Sequence, residues 1–334
     1  MFSELRLDLS GSVVLPSWLH EPMSIRDSYN PYGPCPCESG KKARFCCRQS
    51  VRTWAKSPAR VKTKGPKTGL ANDKCYLSNL HDCSAELNRE HYISRALLAE
   101  LEHNNTIKVT GLSWQKPQTF SLVGINSLVS KILCCRHNEA LSPLDKEMGR
   151  FYRTVKDFKN ISDFHEKGEQ LSVFNGFDLE KWILKTGLGL ISAKKNSTEK
   201  MKPESVSLLY GSEDWPAHYG VYFNTIDRVA FTSDDLLLQF FHGPDFLVRA
   251  IRANVLGLRL TLLLGRPDHP LSFGEYRPRT IILKRAATMK FIEMFWPDSN
   301  LNNYVLLDGH ARYEGSNPDL PEWARESEYV FIDE

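Results

Sequence analysis

The chain reads as an α+β protein, and three observations carry that reading. Leu144, Met148, Phe151, Val155 and Phe158 recur at helical spacing and predict a helix with one buried stripe. Short strand-like runs separated by Gly and Pro fill the C-terminal half and predict a mainly antiparallel sheet with helices beside it. All eight cysteines precede residue 136, in two groups spaced like metal ligands.

Residues 1–30 carry no motif and read as an N-terminal segment that need not be ordered. Residues 31–50 hold the first cysteine group: Cys35-Pro36-Cys37, then Cys46-Cys47. Four thiolates suit a tetrahedral zinc ion. Gly40 permits a tight turn and Pro36 stiffens the first ligand pair. A segment this short cannot bury a core, so metal binding has to supply its folding energy. Cys35-Pro36-Cys37-Glu38-Ser39-Gly40-Lys41-Lys42 followed by Cys46-Cys47 resembles the SEC-C motif known from the C-terminus of the SecA translocation ATPase. Glu38 stands where that motif has glycine. The resemblance implies a zinc-binding adaptor that recruits a protein or nucleic-acid partner and has no chemistry of its own.

Residues 51–70 continue a basic run. From Lys41 through Lys42, Arg44, Arg48, Arg52, Lys56, Arg60, Lys62 and Lys64 to Lys67 there is no acidic residue. Such a run suits a polyanion or a solvated linker, and Pro58, Gly65, Pro66 and Gly69 favour the linker.

Residues 71–160 hold the second group. Cys75 and Cys83 precede Glu90-His91, and Cys134, Cys135, His137 and Asn138 follow some forty residues later. Cys75, Cys83, Cys134 and His137 form a plausible four-ligand zinc set. Cys135 is an alternative to Cys134, and His81 to Cys83. The strand-like runs at 106–112 and 119–123 lie between. Ser142-Pro143-Leu144-Asp145 reads as a helix start, with Ser as cap and Pro in the first turn. Asp145 is therefore expected as a capping acid, with metal binding as its alternative. Over residues 73–150 the order of zinc pair, acid-His dipeptide, second zinc pair and Asn resembles the HNH, or ββα-metal, nuclease family. The resemblance implies that His91 is a general base for water and that Glu90 and Asn138 help hold Mg²⁺ or another divalent ion at the scissile phosphate. The further histidine that many members carry after the Asn is missing.

Residues 165–334 read as an α+β domain for substrate or partner. A helix is expected over 178–191, with Leu179, Trp182, Ile183 and Leu190 on one side. Strands are expected over 206–210, 220–223, 229–232, 236–241, 254–264, 280–283 and 289–294. Trp182, Trp215, Tyr276, Arg277, Arg279 and Trp296 offer either nucleic-acid contacts or an ordinary aromatic core. His218, His242, His269 and His310 form no ligand pattern.

The net charge of +3 excludes a general polycation. Glu4, Arg6 and Asp8 interrupt any signal-peptide core, and no apolar run spans a bilayer. A cytoplasmic protein without a membrane partner is expected, in which clustered cysteines bind metal rather than form disulfides. The leading functional expectation is a metal-dependent endonuclease acting on DNA or RNA, with two structural zinc sites and a recruiting motif. Its rival is a non-catalytic zinc adaptor.

Overall fold

A computed structural model describes residues 29–110, 115, 119–161, 168–194, 198–211, 214–225, 236–265, 273–285, 288–297 and 303–308. The expectations for residues 1–28, for a strand at 229–232 and for His269 and His310 fall outside these. Among the described residues no helix is long and apolar enough to cross a membrane.

The structure is mixed α and β, with most strand pairs antiparallel. Strand β1 (Leu87–His91) is followed by helix α1 (Arg95–Leu101), then by a hairpin of β2 (Ile107–Thr110) and β3 (Phe120–Val123). Strand β4 (Val129–Cys134) runs directly into the long helix α2 (Cys135–Lys159). The expected strand pair at 106–123 therefore exists, but it does not lead into the helix. That role belongs to β1 and β4, which pair antiparallel with Leu87 opposite Cys134 and His91 opposite Val129. The β2–β3 hairpin is an insertion between them.

Helix α2 does not begin at Ser142; Pro143 lies inside it. Proline lacks the N–H that would bond the carbonyl four residues back, here that of Glu139. The Ser142 hydroxyl donates to that carbonyl at 2.9 Å instead, so the helix continues through the proline. The expected stripe of Leu144, Met148, Phe151, Val155 and Phe158 is fully buried.

Strand β5 (Gly168–Asn175) feeds helix α3 (Gly176–Ala193). Leu179, Trp182 and Ile183 are buried as expected, and Leu190 is half-buried. The helix is buried nearly all round, however, with Asp178, Glu180, Lys185 and Thr186 also inside. A helix enclosed on all sides is a central core element rather than a surface one. It packs against α2, β4 and strands of the large sheet. Gly176 opens it beneath the Trp296 ring, where a Cβ would lie 2.3 Å from ring carbons.

The run at 206–210 is helix α4 (Ser205–Tyr210), not a strand. One turn suffices to bury Val206 and Leu209 on one face, and Gly211 ends it in the left-handed region at φ 70°. The remaining strands are β6 (Gly220–Thr225), β7 (Leu236–His242), β8 (Val248–Val255), β9 (Leu258–Leu263), β10 (Glu275–Tyr276), β11 (Thr280–Arg285), β12 (Thr288–Phe295) and β13 (Tyr304–Asp308). The expected single strand over 254–264 is the β8–β9 hairpin, turned at Leu256-Gly257, both with positive φ. A five-stranded antiparallel sheet has the order β10-β6-β9-β8-β7. A four-stranded sheet, β13-β11-β12-β5, is mixed: β11–β12 is antiparallel, and β13 and β5 add in parallel.

One apolar core runs from Cys75, Leu77 and Cys83 through α2 and α3 to Ile292 and Leu307. The modules expected at 71–160 and 165–334 thus share a core. The first cysteine group has a small core of its own, completed by Trp54 and by Val173 of β5. It covers the outer edge of β5, where the Val173 N–H donates to the Pro36 carbonyl at 3.3 Å. Residues 51–70, expected as a linker, form an extended strap fixed to the body. The Ala59 N–H bonds both Asp178 carboxylate oxygens at 2.8 and 3.0 Å, and the Asn175 amide donates to the Lys56 carbonyl at 2.6 Å.

Candidate metal centres and the buried cluster beside them

Cys35, Cys37, Cys46 and Cys47 converge, with ligand atoms within 4.8 Å of one another. Tight turns bring them together: the Glu38 N–H bonds the Cys35 carbonyl at 2.9 Å, and Gly40 takes φ 75°. Glu38 itself adopts φ 60°, the strained conformation that glycine would accept freely. The Sγ atoms of Cys37 and Cys46 are 3.5 Å apart, and those of Cys46 and Cys47 3.8 Å. Tetrahedral zinc with Zn–S bonds of about 2.3 Å has S···S edges of about 3.8 Å. The donor set and its dimensions fit such an ion.

Cys75, Cys83, Cys134 and His137 form the second centre, all buried. His137 Nδ1 lies 3.4, 3.7 and 3.2 Å from the three sulfurs in that order. The S···N edge of a tetrahedral zinc site is about 3.6 Å by the same bond lengths, so this set fits as well. The strand β4 to α2 junction supplies the last two ligands three residues apart. A turn closed by Ser78–Leu80 supplies the first two. Burial pushes the Cys75 thiol up to about 12 and raises Cys83 as well. Burial opposes the Cys134 thiolate as well, but hydrogen bonds from His137 and Ser84 outweigh it and lower its pKa. Cys135 and the exposed His81 stand outside the centre.

Helix α2 starts beside Leu87, which lies opposite Cys134, and Asn138 falls in its first turn. Among the described residues no hydrogen bond joins Asn138 to Glu90 or His91. Two turns further on, Asp145 comes level with Glu90. The side chain between them is Lys185 of α3, an element that sequence reasoning did not connect to this site. Its ammonium pairs with Glu90 at 2.7 Å and with Asp145. Glu90 is 5% and Lys185 4% exposed. Asp145 thus caps no helix start, since α2 begins at Cys135, and it pairs with Lys185.

The electrostatics follow from this burial. Burial raises the carboxyls of Glu90 and Asp145 against the pull of Lys185. Burial opposes the Lys185 ammonium, but Asp145 and Glu90 outweigh it and raise its pKa. His91 is half-buried, and burial, helped by Arg95 and Lys185, holds it below its ordinary value. Its buried Nε2 has no hydrogen-bond partner.

Trp182, Trp296 and Arg277 are buried, and Trp215 and Tyr276 pack partly buried against the core. Arg277 pairs with Glu180 at 2.8 Å in full burial and lies over Phe177, Tyr276 and Trp296. No family model, curated protein or solved structure matches the chain.

Proposed function

We propose that this protein is a zinc-organised nucleic-acid-binding adaptor rather than a hydrolase. The observation that carries the reading is Lys185. A divalent ion held by Glu90 would have to displace the Lys185 ammonium, which sits between Glu90 and Asp145. The ammonium already fills the space between the two carboxylates and cancels one of their two charges. The two zinc ions would be structural, closed by four protein ligands each, and neither would keep an open position for water or substrate. The acid-free basic run provides the affinity for a polyanion.

His91 supports a second reading. Its Nε2, buried without a hydrogen-bond partner at the end of β1, belongs to the side chain that the nuclease resemblance would assign as base. Incubation of purified protein with plasmid DNA and structured RNA, in Mg²⁺, Mn²⁺ or chelator, separates the two. The adaptor binds and does not cut under any of these conditions. Divalent-dependent cutting that is lost in His91→Ala would overturn it.

A further inference from the structure

The strap and the N-terminal half of α2 enclose a groove of about 590 Å³. Arg60, Lys62, Thr63, Lys64 and Gly65 form one wall, and residues of α2 from Arg136 to Pro143 form the other. We propose that this groove holds the sugar–phosphate backbone of a single nucleic-acid strand; the proposal rests on the nucleic-acid reading above and names its site.

The strap presents its charges in a row. Arg60, Lys62 and Lys64 are exposed, while the intervening Val61 and Thr63 turn inward. Alternate residues of an extended chain lie about 6.6 Å apart along one side. Evenly spaced cations suit a polymer of evenly spaced phosphates better than one isolated anion. The row is also held in place before any ligand arrives. Thr63 donates its hydroxyl to Asp82 at 2.6 Å, and the Thr68 N–H bonds the same carboxylate at 2.9 Å. Arg136 pairs with Asp82 at 3.0 Å and donates to the carbonyls of Lys64 and Pro66. Thr68 and Leu70 bond the backbone of Cys83, so the second metal centre anchors the far end of the strap.

Width selects the single strand. Lys64 on the strap reaches Glu139 on α2 in an ion pair across the groove. A trough spanned by one Lys–Glu pair admits an extended strand and not a duplex. That pair is exposed on both sides and contributes little to stability, so a phosphate can replace the carboxylate at small cost. The N-terminal end of α2 adds a favourable dipole for an anion.

The test is fluorescence anisotropy with a labelled single-stranded 12-mer and the same sequence as a duplex, over a range of salt. The Arg60→Ser/Lys62→Ser/Lys64→Ser variant should bind at least about tenfold more weakly, with the slope of log affinity against log salt reduced by about 2, as loss of three phosphate contacts to a single strand requires. Glu139→Gln should bind more tightly than wild type, because Lys64 is freed and a like charge is removed. Unchanged affinity and slope in the triple variant would overturn the groove while leaving nucleic-acid binding intact. Duplex bound as tightly as single strand would overturn the assignment of the strand. No binding by wild type to either would overturn the nucleic-acid reading itself, and this inference with it.

Discussion

At the scale of single residues, the decisive group is Lys185. Its three-way contact with Glu90 and Asp145 links β1, α2 and α3 through charge buried in the core. Removing one partner from such a set leaves uncompensated charge. Lys185→Met should therefore destabilise the protein by about 3–5 kcal/mol in urea unfolding at pH 7–8. The sign of its pH dependence is fixed: carboxyls with folded pKa values raised further above their unfolded values are costliest when ionised, so stability falls as pH rises. The deficit of Lys185→Met against wild type should be smaller near pH 5 than at pH 8. Glu90→Gln/Asp145→Asn/Lys185→Met, with no charge left to bury, should recover much of it. Equal deficits at both pH values would mean that the cluster is solvated. The dipeptide Glu90-His91 was legible as an unusual pair, but its partner was not. Lys185 is about ninety positions away, on a helix whose sequence reads as apolar with scattered charges.

At the scale of elements, α3 shows what pattern can and cannot deliver. Its existence follows from Leu179, Trp182 and Ile183, but its enclosure on all sides does not, because only the surrounding elements decide which polar positions are also covered. Each covered charge has a partner from a different segment: Asp178 from the strap, Glu180 from Arg277 and Lys185 from β1 and α2. Burial raises Asp178 to about 6 from a usual 3.8. Between roughly pH 4 and 6 the folded state thus binds the extra proton, and stability falls as pH rises through that window, by at most about 3 kcal/mol. Asp178→Asn should flatten this part of the stability profile; parallel profiles from urea unfolding at pH 4.5 and 7 would contradict it. Gly176→Ala should cost on the order of 1–3 kcal/mol because the methyl group has no room under Trp296. A thermal melt indistinguishable from wild type would show that the ring moves freely. The β8–β9 hairpin and α4 depart from the expected strands for local reasons. Val255 to Leu264 is a nearly continuous apolar run in which Gly257 is the sole turn signal, and Ser205–Tyr210 is too short for its periodicity to separate helix from strand.

At the scale of the whole molecule, the two cysteine groups were legible because metal ligation demands particular residue types at short spacings, and both sets converge in space. What they organise was less legible. The second centre belongs to the main core, so Cys83→Ser should lower the main unfolding transition by several kcal/mol, the metal's binding energy being part of folding. The first has its own small core on the edge of β5. Cys37→Ser should release one ion and leave that main transition within a few degrees of wild type by calorimetry. Large losses from both substitutions would show that the two centres fold as one unit. The domain boundary drawn near residue 160 marks a change in sequence character, but apolar packing crosses it without a break. The most direct test of the account is an anomalous-diffraction experiment on crystals soaked in Mn²⁺, with data at the zinc and manganese edges. The account predicts zinc at Cys35, Cys37, Cys46 and Cys47 and at Cys75, Cys83, Cys134 and His137, with no manganese between Glu90 and Asp145 and Lys185 in place. A manganese peak between those carboxylates, with Lys185 swung aside, would contradict it and restore the nuclease reading.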